Sequence, residues 1–325
     1  MKLLKLVPDN TNIKFLKWSL PFFLGSALLI AASLGLVVTK GLNLGIDFVG
    51  GQQVQVTFPD LEQAPIPELR EDLTALGYGN PVVQRFGEDN AVSIRMRLPP
   101  DMVDDAQASS RMTGEVRTTI EQEYPTAIIG EDNSVSGKVS EELFSNAMYA
   151  LLAAILAISI YIWIRFEWQF GVGATLALVH DVVLTLGMFA LFQFEFDLKI
   201  IAAILTIIGY SLNDTIVVYD RIRENLKKFR KMPLSELLDL SVNETLARTV
   251  MTSLTLIVVL IALMILGPQS LFHFTAAITL GIVVGTYSSV YMAAPMLLWM
   301  KVTSTSFVPE ESVAERQERI AKGEL

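Results

Sequence analysis

The residues best suited to chemistry in this chain sit where charge is least welcome. Asp214 lies in an apolar run, within Gly209-Tyr210-Ser211-Leu212-Asn213-Asp214-Thr215. An ionised carboxylate at mid-membrane costs about 2.5 to 3.5 kcal/mol, so it needs a partner, a water-filled cavity or a proton. Tyr210 and Ser211, four and three residues earlier, fall on the same helical face, and Asn213 adds amide capacity. Arg248 opens the next apolar run, with Thr252 and Thr255 following as a polar stripe. An arginine there can snorkel to the headgroups or pair with Asp214, and pairing would favour the charged carboxylate. A carboxylate held by a cation in an apolar medium is poised to exchange protons when the cation moves. Its alternative role is structural, as a hydrogen-bonding link between helices.

Three further groups stand out. His180-Asp181 falls near the middle of another apolar run, with Gly173 and Ala177 eight and four residues before Asp181 leaving room for close helix approach. The pair reads either as interhelical hydrogen bonding or as part of the same polar network. Ala277, Gly281, Gly285, Ser289 and Ala293 recur every four residues, a small-residue seam for helix packing. Gly45-Ile46-Asp47-Phe48-Val49-Gly50-Gly51 forms a glycine-rich lead-in to a strand, whose paired glycines suit a bend or bulge. His273 is placed at an outer membrane edge.

The elements that must position these residues follow from composition. The 325 residues are 52% hydrophobic and 18% charged, which is membrane-protein composition. With no cysteine and two histidines, disulfides, thiolate sites and histidine-rich metal centres are excluded. The net charge of -9 argues against nucleic acid as a partner. A bilayer core needs roughly 20 apolar residues in a helix. Six runs qualify: Trp18 to Val38, Leu143 to Ile164, Phe170 to Phe192, Ile200 to Tyr219, Thr249 to Leu266 and Phe274 to Trp299. The first is too long for a cleavable signal and reads as a retained signal anchor. Basic residues gather between the fourth and fifth runs, which predicts a cytoplasmic loop over 220–248 and cytoplasmic ends at 1–17 and 301–325. The protein is then a polytopic α-helical membrane protein, with its first span at 18–38, a five-helix membrane region over 142–300 and one large extracytoplasmic segment over 39–141.

That outer segment carries 17 Asp and Glu against 8 Lys and Arg. Alternation through Gln53 to Phe58 marks a strand, and Pro67 opens a helix toward Gly77. Strands at Pro81 to Phe86 and Ala91 to Leu98 flank a turn at Gly87-Glu88-Asp89-Asn90. Asp104 to Tyr124 reads as a helix and Thr126 to Ile129 as a last strand. The order is β-α-β-β-α-β, the ferredoxin-like motif.

Three elements together resemble the SecD/SecF family of the bacterial Sec protein-export machinery, within the resistance-nodulation-division superfamily: Asp47-Phe48-Val49-Gly50-Gly51, Val179-His180-Asp181-Val182, and the run from Gly209 to Asn225. The resemblance extends from about residue 12 to residue 300. It implies a six-helix half of a transporter core whose other half is SecD, associated with the SecY-SecE-SecG channel and often with YajC. It further implies proton conduction through Asp214 and Arg248, no cofactor, and outer domains that grip or release unfolded polypeptides being exported. Asp47, Phe48, Gly50 and Gly51 match the family's external signature, which carries no evident chemical role in the sequence. The rival readings are half of a proton-driven small-molecule exporter and a passive scaffold for the channel. An intramembrane protease is disfavoured because Tyr219-Asp220 lacks a Gly-x-Gly-Asp partner.

Overall fold

A computed structural model describes residues 8, 11–102, 105 and 107–302. Most of the expected cytoplasmic segment 1–17 and tail 301–325 lie outside these residues, as does the start expected for the second outer helix at Asp104.

The first span, α1 (Ser19–Lys40), is extended at its start by a 3-10 turn, Leu16–Trp18. A two-residue strand, β1 (Asn43–Leu44), and a one-turn helix, α2 (Ile46–Val49), lead into β2 (Gly51–Thr57). The domain continues as α3 (Ile66–Thr74), β3 (Val82–Phe86), β4 (Glu88–Arg97), α4 (Ala108–Glu123) and β5 (Ile128–Val135). The sheet order β3-β4-β2-β5 is antiparallel throughout. This is the expected ferredoxin-like topology.

Alternation decides its two faces. Val54, Val56, Ile94 and Met96 point to the helices and pack with Leu69, Leu73, Met112, Val116 and Ile120 in one core. The intervening Gln53, Ser93 and Arg95 stand on the opposite, polar face.

Two local readings change. The turn tightens around Gly87, at φ 77°, so Glu88 already pairs with Phe86. The last strand extends to Val135 because β2 offers a free edge along its whole length, pairing Gly51 with Val135. The polar residues past Ile129 carry no alternation that would have shown this.

The remaining helices are α5 (Gly137–Arg165), α6 (Trp168–Phe192), α7 (Leu198–Lys228), α8 (Leu234–Leu266) and α9 (Phe272–Ser288), with β6 (Glu195–Phe196) between α6 and α7. A π turn, Ser289–Ala293, joins α9 to α10 (Ala294–Trp299), completing the last of the six helices that, among the described residues, are long and apolar enough to cross a membrane. The stretch read as a loop over 220–248 is helical except for 229–233. Its charges ended the hydrophobic run at Tyr219, yet Ile222, Leu226, Leu237, Leu238 and Val242 recur at helical spacing and are buried together.

The spans sort into two sets. Half of the apolar window is buried in α6, α7 and the α9–α10 span, but 11% in α1 and α8 and 17% in α5. The first set forms the centre, and the second turns large apolar side chains outward.

Candidate functional site

At the centre, small residues let helices approach until polar groups meet. A Cβ on Gly281 would lie 2.3 Å from the Ile207 side chain, and one on Gly285 would lie 2.9 Å from Ser211 Cβ. The seam therefore holds α9 directly against α7. Gly173 admits Tyr219 and the Ala293 carbonyl in the same way.

This close packing builds a knot around Asp181, which is 0% exposed. Ser211 on α7 donates to Oδ2 at 2.5 Å and Ser288 on α9 donates to the same oxygen at 2.9 Å. His180 Nδ1 lies 2.8 Å from Oδ1, and its ring stacks on Tyr287. Three helices thus converge on one carboxylate. Ser288 was missed in the sequence, where it was hidden beside the packing seam; a hydroxyl one position from a small-residue stripe is the signal that could have found it.

The residues expected around Asp214 part company. Ser211 belongs to Asp181, Tyr210 bonds to Ser253 Oγ at 3.1 Å, and Asn213 is exposed. Asp214 is 2% exposed, and its Oδ2 has no hydrogen-bond partner among the described residues. The expected pair with Arg248 is not formed here: no ion pair joins them among the described residues, and Arg248 is exposed. Helical geometry explains this. Thr249 and Ser253 share the face of α8 that meets α7, which turns Arg248 and Thr252 onto the next face. Thr252 bonds within its own helix, to Arg248 O at 3.1 Å and Thr249 O at 3.0 Å.

The second assembly joins the α/β domain to the spans. Asp47 Oδ2 accepts the backbone N–H of Leu198 at 3.0 Å, and Asp197 accepts that of Ile200 at 3.1 Å, so two carboxylates satisfy the first donors of α7. β1 pairs in parallel with β6, and Gly45 N donates to Phe196 O at 2.8 Å. Gly51, at φ 141°, passes so close to β4 that a Cβ would lie 2.2 Å from Met96 O. Phe48 packs against Phe144 and Phe196. The glycine-rich signature is thus a mechanical clip between the sheet and the end of α7.

Beside the clip, the polar sheet face roofs a cavity whose walls include Gln53, Gln84, Arg95, Glu195, Asp197 and His273. Arg95 pairs with Glu195. Burial lowers the Arg95 guanidinium below its usual range, and burial raises the Asp197 carboxyl, partly countered by Lys199. His273 stacks on Phe194 at 4.7 Å between ring centroids. Among the described residues no group of three His, Asp or Glu gathers in a way that could hold a metal ion.

Comparison with known proteins matches two profiles. One, the C-terminal region of protein export membrane protein SecD/SecF, covers residues 115–303, and the other, the SecD/SecF GG motif, covers residues 35–58. Protein translocase subunit SecF of Cereibacter sphaeroides is 42% identical over 303 residues, 92% of this chain and 93% of that protein. The Vibrio alginolyticus subunit of the same name is 38% identical over 314 residues, covering 97% of this chain and 98% of its own. Among solved structures, the crystal structure of SecDF, a translocon-associated membrane protein from Thermus thermophilus, aligns with a TM-score of 0.77 at 36% identity, covering 90% of this chain. A super-membrane-facing form of SecDF aligns with a TM-score of 0.67 at 35% identity over 97% of this chain. This chain spans only 39% and 40% of those two solved chains.

Proposed function

The chain belongs to the SecD/SecF family of protein-export membrane proteins, and we propose that it uses the proton motive force to drive or complete protein export. It is a multi-pass membrane protein with an accessory role in Sec protein translocation. The proposal concerns how that role is powered and with whom.

One observation carries the reading: Asp214 is buried at the middle of α7 with a carboxylate oxygen that has no partner among the described residues, and the same helix is clipped at its end to the α/β domain by Asp47. A carboxylate that trades its charge for a proton changes what α7 gains from its neighbours, and α7 is tied to the domain that would act on cargo. A proton falling through about 100 mV supplies about 2.3 kcal/mol, enough to bias a domain movement between states a few kcal/mol apart. No cofactor or bond-breaking step is needed; the proton is the coupling ion.

The exposed faces of α1, α5 and α8 support a second membrane half. α8 presents Arg248 and Thr252 outward from this chain, and a polar stripe at membrane depth calls for a polar cover. We assign that cover to SecD, with Arg248 approaching Asp214 only in another stage of the cycle. The pair would then associate with the SecY-SecE-SecG channel and YajC in the inner membrane, both ends of this chain cytoplasmic, and the α/β domain would meet unfolded polypeptide outside.

The test is completion of trapped export intermediates in inverted vesicles after ATP is removed and a proton gradient is imposed. Asp214→Asn is expected to stop completion while leaving the ATP-driven stage intact. Completion at the wild-type rate would favour a passive scaffold instead.

A further inference from the structure

Hydroxyl groups on α8 mostly find partners within the protein. Thr245 donates to Ser241 O at 3.1 Å, Thr252 to Arg248 O at 3.1 Å, and Thr255 to Met251 O. These are the back-bonds that spare a hydroxyl in an apolar helix from standing alone. Ser253 is bonded to Tyr210 and to Thr286. Thr249 departs from the pattern: it is 3% exposed, and its Oγ1 has no partner among the described residues. Asp214 Oδ2 on α7 shares that condition.

The register of α7 and α8 brings the two residues to the same level of the packed pair. α7 and α8 are antiparallel neighbours joined by the turn at 229–233, and the Tyr210–Ser253 hydrogen bond sets their register. Four residues on from Tyr210 and four back from Ser253 is one helical turn along each helix toward that junction, and it reaches Asp214 and Thr249. Each lies on the same face as its bonded neighbour. Other charged or titratable groups on the packed helices are engaged or turned away. His180 and Asp181 are held with Ser211 and Ser288, Tyr210 is bonded to Ser253, Tyr219 donates to Ala293 O, and Arg248 is exposed.

We propose that Asp214 and Thr249 form the seat for a single water molecule through which the coupling proton reaches the carboxylate, with Thr249 as its positioning residue. A carboxylate oxygen that accepts and a hydroxyl that accepts or donates match the two sides of a water, which is how buried polar pairs without protein partners are satisfied. Arriving as hydronium, the guest gives one proton to Asp214 Oδ2, leaving a neutral carboxylic acid and a neutral water hydrogen-bonded to Thr249 Oγ1. In reverse, the acid returns its proton to that water. This inference rests on the proton-coupled reading of Asp214.

The experiment uses the full export complex in inverted vesicles, with Thr249→Val, Thr249→Ser and Asp214→Asn compared at equal membrane abundance. Gradient-driven completion is followed across a range of luminal pH. Valine keeps the shape and removes the hydroxyl, so completion is expected to fall at least tenfold, with a displaced pH profile, because a positioned proton relay contributes at least that much. Serine restores the hydroxyl and is expected to restore both rate and profile. Valine at wild-type rate and profile, with Asp214→Asn inactive, overturns the seat and leaves the role of Asp214 standing. Loss in both valine and serine variants overturns it in favour of packing. Wild-type completion by Asp214→Asn removes the underlying reading and the seat with it.

Discussion

Burying a carboxylate is costly unless its lone pairs are met, and Asp181 shows how they can be. Two serine hydroxyls from different helices share its Oδ2, and the preceding histidine occupies Oδ1. Removing one donor leaves a desolvated carboxylate short of a bond, a loss of about 1 to 3 kcal/mol. Ser288→Ala is therefore expected to lower the thermal stability of the purified protein. Ser211→Ala should do likewise, with a double variant that departs from additivity because both act on one oxygen. Strict additivity would mean that the two serines do not share the carboxylate. Asp214 presents the opposite case, a carboxylate left with an unmet oxygen. That contrast separates a residue that locks helices together from one available to change state. Both aspartates were legible in the sequence as intramembrane carboxylates. Their division of labour was not, because it depends on which helix each hydroxyl faces.

α7 is the element that carries the argument. Its 31 residues span about 46 Å, with Asp47 and Asp197 at one end, Asp214 near the middle and the turn to α8 at the other end. α9 lies along it through a seam of small residues, where Gly281 meets Ile207 and Gly285 meets Ser211. Gly281→Ala would drive a Cβ into Ile207, which is 1% exposed, and overpacking of this kind typically costs about 1 to 3 kcal/mol. Shortening the obstruction should relieve it. The Gly281→Ala and Ile207→Ala double variant is expected to melt higher than the sum of the single effects predicts, and simple additivity would contradict the close contact. The repeat of small residues revealed this seam in advance. The full length of α7 and α8 stayed hidden, because run-length hydropathy reports the lipid-crossing part of a helix and stops where its amphipathic continuation begins.

Taken whole, the molecule is a helical core with a polar-faced domain clipped to its end, and the junction between them is where acidity is felt. Burial raises the Asp197 carboxyl above its ordinary value of 3.8, so the folded junction retains a proton over a window in which the unfolded chain has lost it. The stability contributed by that proton is complete below 3.8 and is lost as pH rises through the higher folded value. Asp105 works in the other direction. The Gln107 N–H and Arg111 hold it below 3.8, so its contribution is present above that value and lost as pH falls through the lower folded one. Comparing variants separates the two. Between neutral and mildly acidic pH, wild type is expected to gain more melting temperature than Asp197→Asn; equal gains would show that Asp197 does not link acidity to the junction.

Composition and run length by themselves determined a multi-pass membrane protein, and among the described residues six helices are long and apolar enough to cross a membrane. Local alternation and turn chemistry determined the β-α-β-β-α-β order of the α/β domain's elements along the chain, and the three motifs determined the family resemblance. These properties are legible because each depends on neighbours along the chain: apolar length, period-two alternation, turn chemistry. The tertiary structure alone decided that Asp181 is satisfied from positions 211 and 288, and that Asp47 caps a helix beginning at residue 198. It also decided that Arg248 faces away from Asp214. Each of those outcomes depends on helix rotation and crossing, set by packing between segments far apart in sequence.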